Sequence, residues 1–270
     1  LLNFDVVIKI NLMQIEATVV KRETIAPAWW RLIVSVPNLP SNPLPGQFFL
    51  LRCADPFTCY LRRPIFPRYL EDNQMSLLLR PDPDPGMAWL SARKEGDILD
   101  LIGPLGTGFV LPDNVVGNLL LVSDQQMIVP LLGQMERAMA VGFSVTLALE
   151  SKRATTLYPV AALPPLVEFQ AATLDGSRGY HGSIIDLLPD LLRWADMVCT
   201  VGSMELYRTL KRQVKEVRFG AYKGFLYGLV AENLMACGVG ACLSCTIETE
   251  AGLKLRCVDG PVFDLETLQI

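Results

Sequence analysis

The chain has 270 residues, a net charge of −4, and 51% hydrophobic against 19% charged residues, which is room for about two domains of ordinary size. No cluster of Lys and Arg supplies the basic face that phosphate neutralisation needs, so nucleic acid is excluded as a partner. No apolar run approaches the roughly 20 residues of a membrane-spanning helix, and the apolar surplus points instead to a covered partner interface.

The first residues, Leu1-Leu-Asn-Phe-Asp-Val-Val-Ile8, lack a basic region followed by an apolar stretch and a small-residue cleavage site, so no secretory signal is expected. From Leu12 to about Pro112 the pattern predicts short strands at Ile15 to Lys21, Trp30 to Val36, Gln47 to Arg52, Met75 to Arg80 and Asp97 to Ile102. Pro- and Gly-rich turns separate them, Pro43-Leu-Pro-Gly46 and Pro81-Asp-Pro-Asp-Pro-Gly86 among them, and strands at this spacing imply an antiparallel barrel or sandwich.

Near Asn114 strands begin to alternate with helices: Asn118 to Val122, helix Gln126 to Ala140, Ser144 to Leu149, Val167 to Ala171, helix Ser183 to Arg193, Met197 to Val201 and helix Met204 to Arg218. That alternation predicts a parallel sheet with helices on both faces. A cysteine-bearing loop and a hairpin, Leu243 to Glu248 and Leu253 to Cys257, follow. The fold class is therefore α+β multidomain: a β-barrel over 1–112, an α/β parallel-sheet domain over 113–225 and a small module over 226–270.

Seven cysteines is an odd number, and four of them fall within 21 residues, which suits ligation in a reducing, cytoplasmic compartment better than a disulfide framework. Cys237-Gly-Val-Gly-Ala-Cys242-Leu-Ser-Cys245 followed by Cys257 leaves gaps of four, two and eleven residues. Cys-x4-Cys-x2-Cys with a later fourth Cys is the plant-type arrangement for one 2Fe-2S cluster. Gly238 and Gly240 permit positive φ and let backbone N–H groups approach an anionic cluster. Four thiolates also hold zinc, but zinc ribbons usually pair two Cys-x2-Cys knuckles and only Cys242 and Cys245 form one here. Cys53, Cys59 and Cys199 read as buried small hydrophobes, and the tryptophans as packing residues. His181, the only histidine, reads as an ordinary loop residue, and no catalytic residue is assigned.

A barrel, an α/β domain and this cluster loop, in that order, resemble the ferredoxin-NADP reductase superfamily, and within it the electron-transfer subunit of class 1B dihydroorotate dehydrogenase. Cys257-Val-Asp-Gly-Pro-Val-Phe263, Glu232-Asn-Leu-Met-Ala-Cys237 and Gly103-Pro-Leu-Gly-Thr-Gly-Phe109 carry the resemblance, which covers nearly the whole chain. It implies FAD beside the 2Fe-2S cluster, an FMN-containing catalytic partner subunit in a heterotetramer, and a place in pyrimidine biosynthesis. It also implies that Leu61-Arg-Arg-Pro-Ile65 corresponds to an Arg-Pro-x-Ser stretch, with Arg63 meeting the flavin pyrophosphate and Pro64 and Ile65 lying along the ring. Phe66 replaces the serine. The family's Gly-x-Gly-Thr turn becomes Asp84-Pro-Gly86-Met87, leaving Gly86 and Met87 at the phosphates.

The family's Gly-Gly-Gly-x-Gly turn for NAD(H) reads Ser123-Asp-Gln-Gln-Met127, without a glycine, and Asp124 is expected to cap the helix that follows. The later Cys-Gly-Pro turn reads Val201-Gly202-Ser203. These departures predict poor NADH binding. Read from the residues alone, Arg62 and Arg63 are equally a pair of solvated strand-end charges. Two other functions stay open: a cluster-bearing scaffold or redox sensor without flavin, and an electron-transfer subunit of another oxidoreductase complex.

Overall fold

The computed structural model describes residues 14–27, 29–37, 39, 42–55, 57–113, 115–124, 127–218, 224–231 and 235–270. The N-terminal residues, Gln125 and Gln126 of the glycine-free turn, and the start of Glu232-Asn-Leu-Met-Ala-Cys237 lie outside them.

The first sheet contains β1 (Gln14–Ala26), β2 (Trp29–Ser35), β3 (Phe48–Leu51), β4 (Arg63–Ile65), β5 (Arg68–Tyr69), β6 (Gln74–Leu79) and, after the helix α1 (Pro85–Ser91), β7 (Ile98–Leu105). In β1, Ile15, Ala17 and Val19 point inward and their neighbours outward, the period of two that a half-buried strand requires. Every pairing is antiparallel, in the order β4-β3-β7-β1-β2-β6-β5. The two edge strands are neighbours in sequence: Ile65 and Arg68 are three Cα steps apart, at most about 11 Å. The sheet therefore curls until its edges meet, as a barrel does.

Helix α1 replaces what the sequence predicts as the end of a turn. Asp84 caps it, accepting from Met87 N at 3.0 Å, and Pro85 sits in the first position where its missing N–H costs nothing. Seven residues are too few to show a helical period.

The second sheet contains β8 (Asn118–Ser123), α2 (Val129–Ala140), β9 (Ser144–Ser151), β10 (Glu168–Thr173), β11 (Tyr180–His181), α3 (Leu188–Trp194), β12 (Met197–Thr200), α4 (Met204–Val217) and β13 (Leu226–Leu229). These strands are parallel, in the order β11-β10-β9-β8-β12-β13. Leu119 and Leu121 of β8 pack with Leu131, Leu132 and Met135 of α2, whereas Leu120 and Val122 pack with Leu188, Leu206 and Leu210 of α3 and α4. Successive residues of one strand thus enter opposite cores, which is why β8 reads as a continuous apolar run.

Beyond β13 the chain forms the cysteine loop, the hairpin β14 (Thr246–Thr249) and β15 (Gly252–Leu255), and β16 (Val262–Asp264). Strand β16 returns to pair antiparallel with β13. The segment expected to form a separate module therefore contributes β13 and β16 to the second sheet. Two of the motifs that carry the family resemblance meet here: Thr107 N donates to Gly260 O at 2.5 Å and Thr107 Oγ1 to Val262 O at 3.2 Å. Gly106, at φ +70°, is required on two counts, because a Cβ would lie 2.5 Å from Gly260 O and 2.7 Å from Pro261 Cδ.

Candidate functional site

Two neighbouring features form the site: the cysteine loop and a cavity between the sheets. In the loop Gly238 and Gly240 have φ of +71° and +78°. A Cβ on Gly238 would lie 2.7 Å from Leu105 Cδ1 and 2.8 Å from Leu50 Cδ1, so the loop rests directly on the barrel wall. Cys245 and Cys257 are buried in the same core as Leu50, Phe66 and Leu105, while Cys242 is exposed.

The four thiols act on one another: Cys242 interacts with Cys237, and Cys257 with both Cys245 and Cys237. Among the described residues, no three or more His, Cys, Asp or Glu side chains converge as they would around one metal ion. Backbone N–H groups also face the sulfurs: Val239 N donates to Cys237 Sγ at 3.5 Å, and Gly240 N–H to Cys257. The Ser244 hydroxyl, 3.0 Å from Cys242 Sγ, acts with the Ser244 N–H and the Cys237 thiol to hold Cys242 down to about 6. Burial pushes Cys257 up to about 12, aided by the Cys245 thiol and opposed by the Gly240 N–H. Four neighbouring thiols with backbone N–H donors beside them fit an anionic iron-sulfur cluster. By contrast, Cys53 and Cys199 are enclosed, and burial pushes Cys53 up to about 12, as expected of an inert thiol.

The cavity, about 510 Å3, is lined from the barrel by Trp29, Pro64, Ile65, Phe66, Arg80 and Met87, and from the second sheet by residues that include Asp124, Glu150 and Lys152. Its size and apolar floor fit a planar ring system. Pro64 is the cross-strand partner of Leu50, so the residue that lines the cavity and the residue that Gly238 rests on stand side by side on one face of the barrel.

The two arginines of Leu61-Arg-Arg-Pro-Ile65 take different parts. Arg62 holds Asp100, which faces away from the inward Leu99 and Leu101 of β7, donating through Nη2 to both carboxylate oxygens at 2.9 Å and through Nη1 to Asp100 O. Arg63 holds Asp84, with Nε 3.1 Å from each carboxylate oxygen, while its Nη1 donates to Leu61 O at 2.7 Å. Neither is a freely solvated charge. Gly86 is packed beneath this pair: a Cβ there would lie 2.9 Å from Arg63 Cγ and 3.1 Å from Cys53 Sγ. Arg80 has no hydrogen bond or ion pair to another described residue, and burial lowers its pKa. Of the residues expected at the flavin, Pro64, Ile65 and Met87 line the cavity, while Arg63 and Gly86 pack against each other and are not among its lining residues; the sequence gives no sign that Asp84 neutralises Arg63.

Asp124 departs from its expected role. Helix α2 starts at Ile128 with no side-chain cap. Asp124 reaches across to the loop after β12, accepting from Ser203 N at 3.0 Å and from the Ser203 hydroxyl. Ser203 is the N-cap of α4.

The C-terminal segment decides the kinship. Residues 232–269 match the family model described as the iron-sulfur cluster binding domain of dihydroorotate dehydrogenase B. In that segment the chain is similar to this domain. Over 92% of its length the chain is 29% identical to the dihydroorotate dehydrogenase B (NAD(+)) electron transfer subunits of Bacillus mycoides and Bacillus cereus, covering 95% of each. In fold it is similar to an NADH-dependent reduced ferredoxin-NADP oxidoreductase, with a TM-score of 0.76 and 24% identity over 93% of this chain and 89% of that one. A ferredoxin NADP+ reductase from Neisseria gonorrhoeae, solved with FAD and NADP, superposes with a TM-score of 0.64 and 16% identity over 79% of this chain and 96% of that one. The barrel and doubly wound sheet thus share the ferredoxin reductase fold, and the segment that follows is similar to the dihydroorotate dehydrogenase B cluster domain. Among the described residues no helix is long and apolar enough to cross a membrane.

Proposed function

We propose that this chain is an electron-transfer subunit in which a 2Fe-2S cluster held by Cys237, Cys242, Cys245 and Cys257 exchanges electrons with a flavin in the cavity between the sheets. One observation carries the reading: the cysteine loop and the cavity are neighbours on one face of the barrel, where Leu50, which Gly238 rests on, stands directly opposite Pro64, which lines the cavity. When bound, the flavin exchanges two electrons and the cluster one, so together they convert between the two. The chain's own contribution is placement and polarity. Gly238 and Gly240 let the loop lie close to the barrel, and the N–H groups of Val239, Gly240 and Ser244 stabilise negative charge on sulfur. Pro64, Ile65 and Phe66 would floor the flavin ring, with Arg63, Gly86, Met87 and the half-buried cation of Arg80 towards the phosphates.

The exposed Cys242 and Leu243 place the cluster edge at the surface, where a partner's redox centre can come close. The Bacillus relatives are named as electron transfer subunits of dihydroorotate dehydrogenase B, which supports a catalytic flavoprotein partner. On this reading the partner carries FMN, the complex is a cytoplasmic heterotetramer, and the pathway is pyrimidine biosynthesis. The working units are 1–112, 113–225 and 226–270.

The Arg63–Asp84 pair favours a second reading, a cluster-bearing subunit without flavin, because the cation expected at the phosphates already has a carboxylate. Anaerobic purification, followed by iron and sulfide analysis, a visible spectrum and flavin extraction, tests both. Two irons, two sulfides and one FAD per chain are expected from the first reading, and the cluster without flavin from the second. One zinc without sulfide would overturn both.

A further inference from the structure

In a doubly wound sheet the dinucleotide crevice lies where neighbouring strands are connected to opposite sides, at their carboxyl ends. Here β8 leads through α2 to β9 on one side and is flanked by β12 on the other, so the crevice lies above β8 and β12. We infer that this crevice is closed by the chain's own Asp124, so that nicotinamide dinucleotides are neither ligands nor the electron source of this protein, unlike what the NAD(+) in the relatives' names states of them. The inference goes beyond the flavin and cluster assignments and depends on neither.

The closure is built from several bonds. Val201 N and the Thr200 hydroxyl donate to Val122 O at 3.1 and 3.0 Å, drawing the strand ends together. Just beyond them the Asp124 carboxylate accepts from the backbone N–H and hydroxyl of Ser203. The carboxylate rests on Gly202, where an added Cβ would collide with Asp124 Oδ1.

The donors that a pyrophosphate would recruit are already committed. Gly202 N donates to the Tyr207 hydroxyl at 2.9 Å, Ser203 N to Asp124, and Leu206 N to Ser203 Oγ at 3.2 Å. The Tyr207 hydroxyl passes its own proton to Leu229 O at 2.5 Å, so it cannot turn towards a ligand without leaving a buried carbonyl unpaired. A helix N-terminus attracts one anion, and at α4 that anion is internal. The neighbouring cavity adds to the repulsion: Asp82, Asp124 and Glu150 line it against Arg80 and Lys152.

Binding of NADH to the purified full-length protein, followed by nicotinamide fluorescence and by calorimetry, tests this independently of electron transfer. The native chain is expected to show no saturable binding below about 1 mM. Asp124→Gly removes both the charge and the lacing, and its affinity should exceed the native one by about tenfold or more, the worth of one charge-assisted contact. Asp124→Asn keeps the shape without the charge and should also gain, by a smaller factor. Micromolar binding by the native chain would overturn the inference. So would the absence of any gain in both variants when their melting temperatures show them folded. Iron, sulfide and flavin content, with dithionite reduction, report on the electron-transfer reading alone, so either can fail without the other.

Discussion

Arg63 and Asp84 form an ion pair next to Pro64 and Met87, two residues that line the inter-sheet cavity, with the guanidinium Nε 3.1 Å from both carboxylate oxygens, while the same carboxylate caps α1. A flavin phosphate arriving there must compete with Asp84 for Arg63. Asp84→Asn, which can still cap the helix, is expected to raise FAD retention, and Arg63→Ala to lower it by about one to two decades, the worth of a charge-assisted contact. Flavin extracted per chain after gel filtration measures both. Equal retention in all three proteins would remove Arg63 from the flavin site.

Arg62→Ala should behave differently from its neighbour. Its guanidinium holds the Asp100 carboxylate and the backbone carbonyls of Leu50 and Asp100. Its loss is expected to cost about 1 to 3 kcal/mol of stability and to leave flavin affinity unchanged in the folded fraction. Urea unfolding followed by tryptophan fluorescence gives the first quantity, and flavin titration the second.

Asp84 also sets a pH dependence. Burial pushes its carboxyl up, but the Arg63 guanidinium and the N–H groups of Met87 and Gly86 outweigh this, and its pKa is lowered. A group depressed in the folded state contributes stability above its unfolded pKa, about 3.9, and loses it as pH falls through the lower folded value. The difference in melting temperature between the native chain and Asp84→Asn should therefore be constant near neutrality and shrink below about pH 4. A difference that grows with acidification would contradict the pairing.

Cys242→Ser is expected to lose the visible spectrum of the cluster and most of its iron, because a hydroxyl is a poor substitute for a soft thiolate. Cys199→Ser, in a fully buried thiol of β12, should keep the iron stoichiometry of the native chain. Iron and sulfide assays on both variants compare a candidate ligand with a packing cysteine.

Leu243 stands beside Cys242 with 64% of its surface exposed and φ of +57°. Leu243→Asp should weaken association with the catalytic partner by about tenfold or more if this apolar residue lies at the centre of the interface. The cluster content should not change. Co-purification yield and an association constant from light scattering decide it, and unchanged affinity would place the docking surface elsewhere.

The sequence by itself determined the strand and helix order and the cysteine spacing, because these are local. A period of two in β1, an apolar run for β8, and gaps of four, two and eleven between cysteines are all legible along the chain. Short elements were not: β4, β5 and α1 are too brief for a period to show. What only the tertiary structure decided is where the charges end up. Arg62 and Arg63 are adjacent in sequence, yet one holds Asp100 on the outward face of β7 and the other holds Asp84 at the start of α1, since successive residues of an extended segment point to opposite sides. Asp124 was expected to cap its own helix, but β8 and β12 end side by side, and that places Ser203, 79 residues later, within reach of its carboxylate. The return of Gly260-Pro261 onto Gly106 has the same cause: the partners are far apart in sequence, and only sheet order brings them into contact.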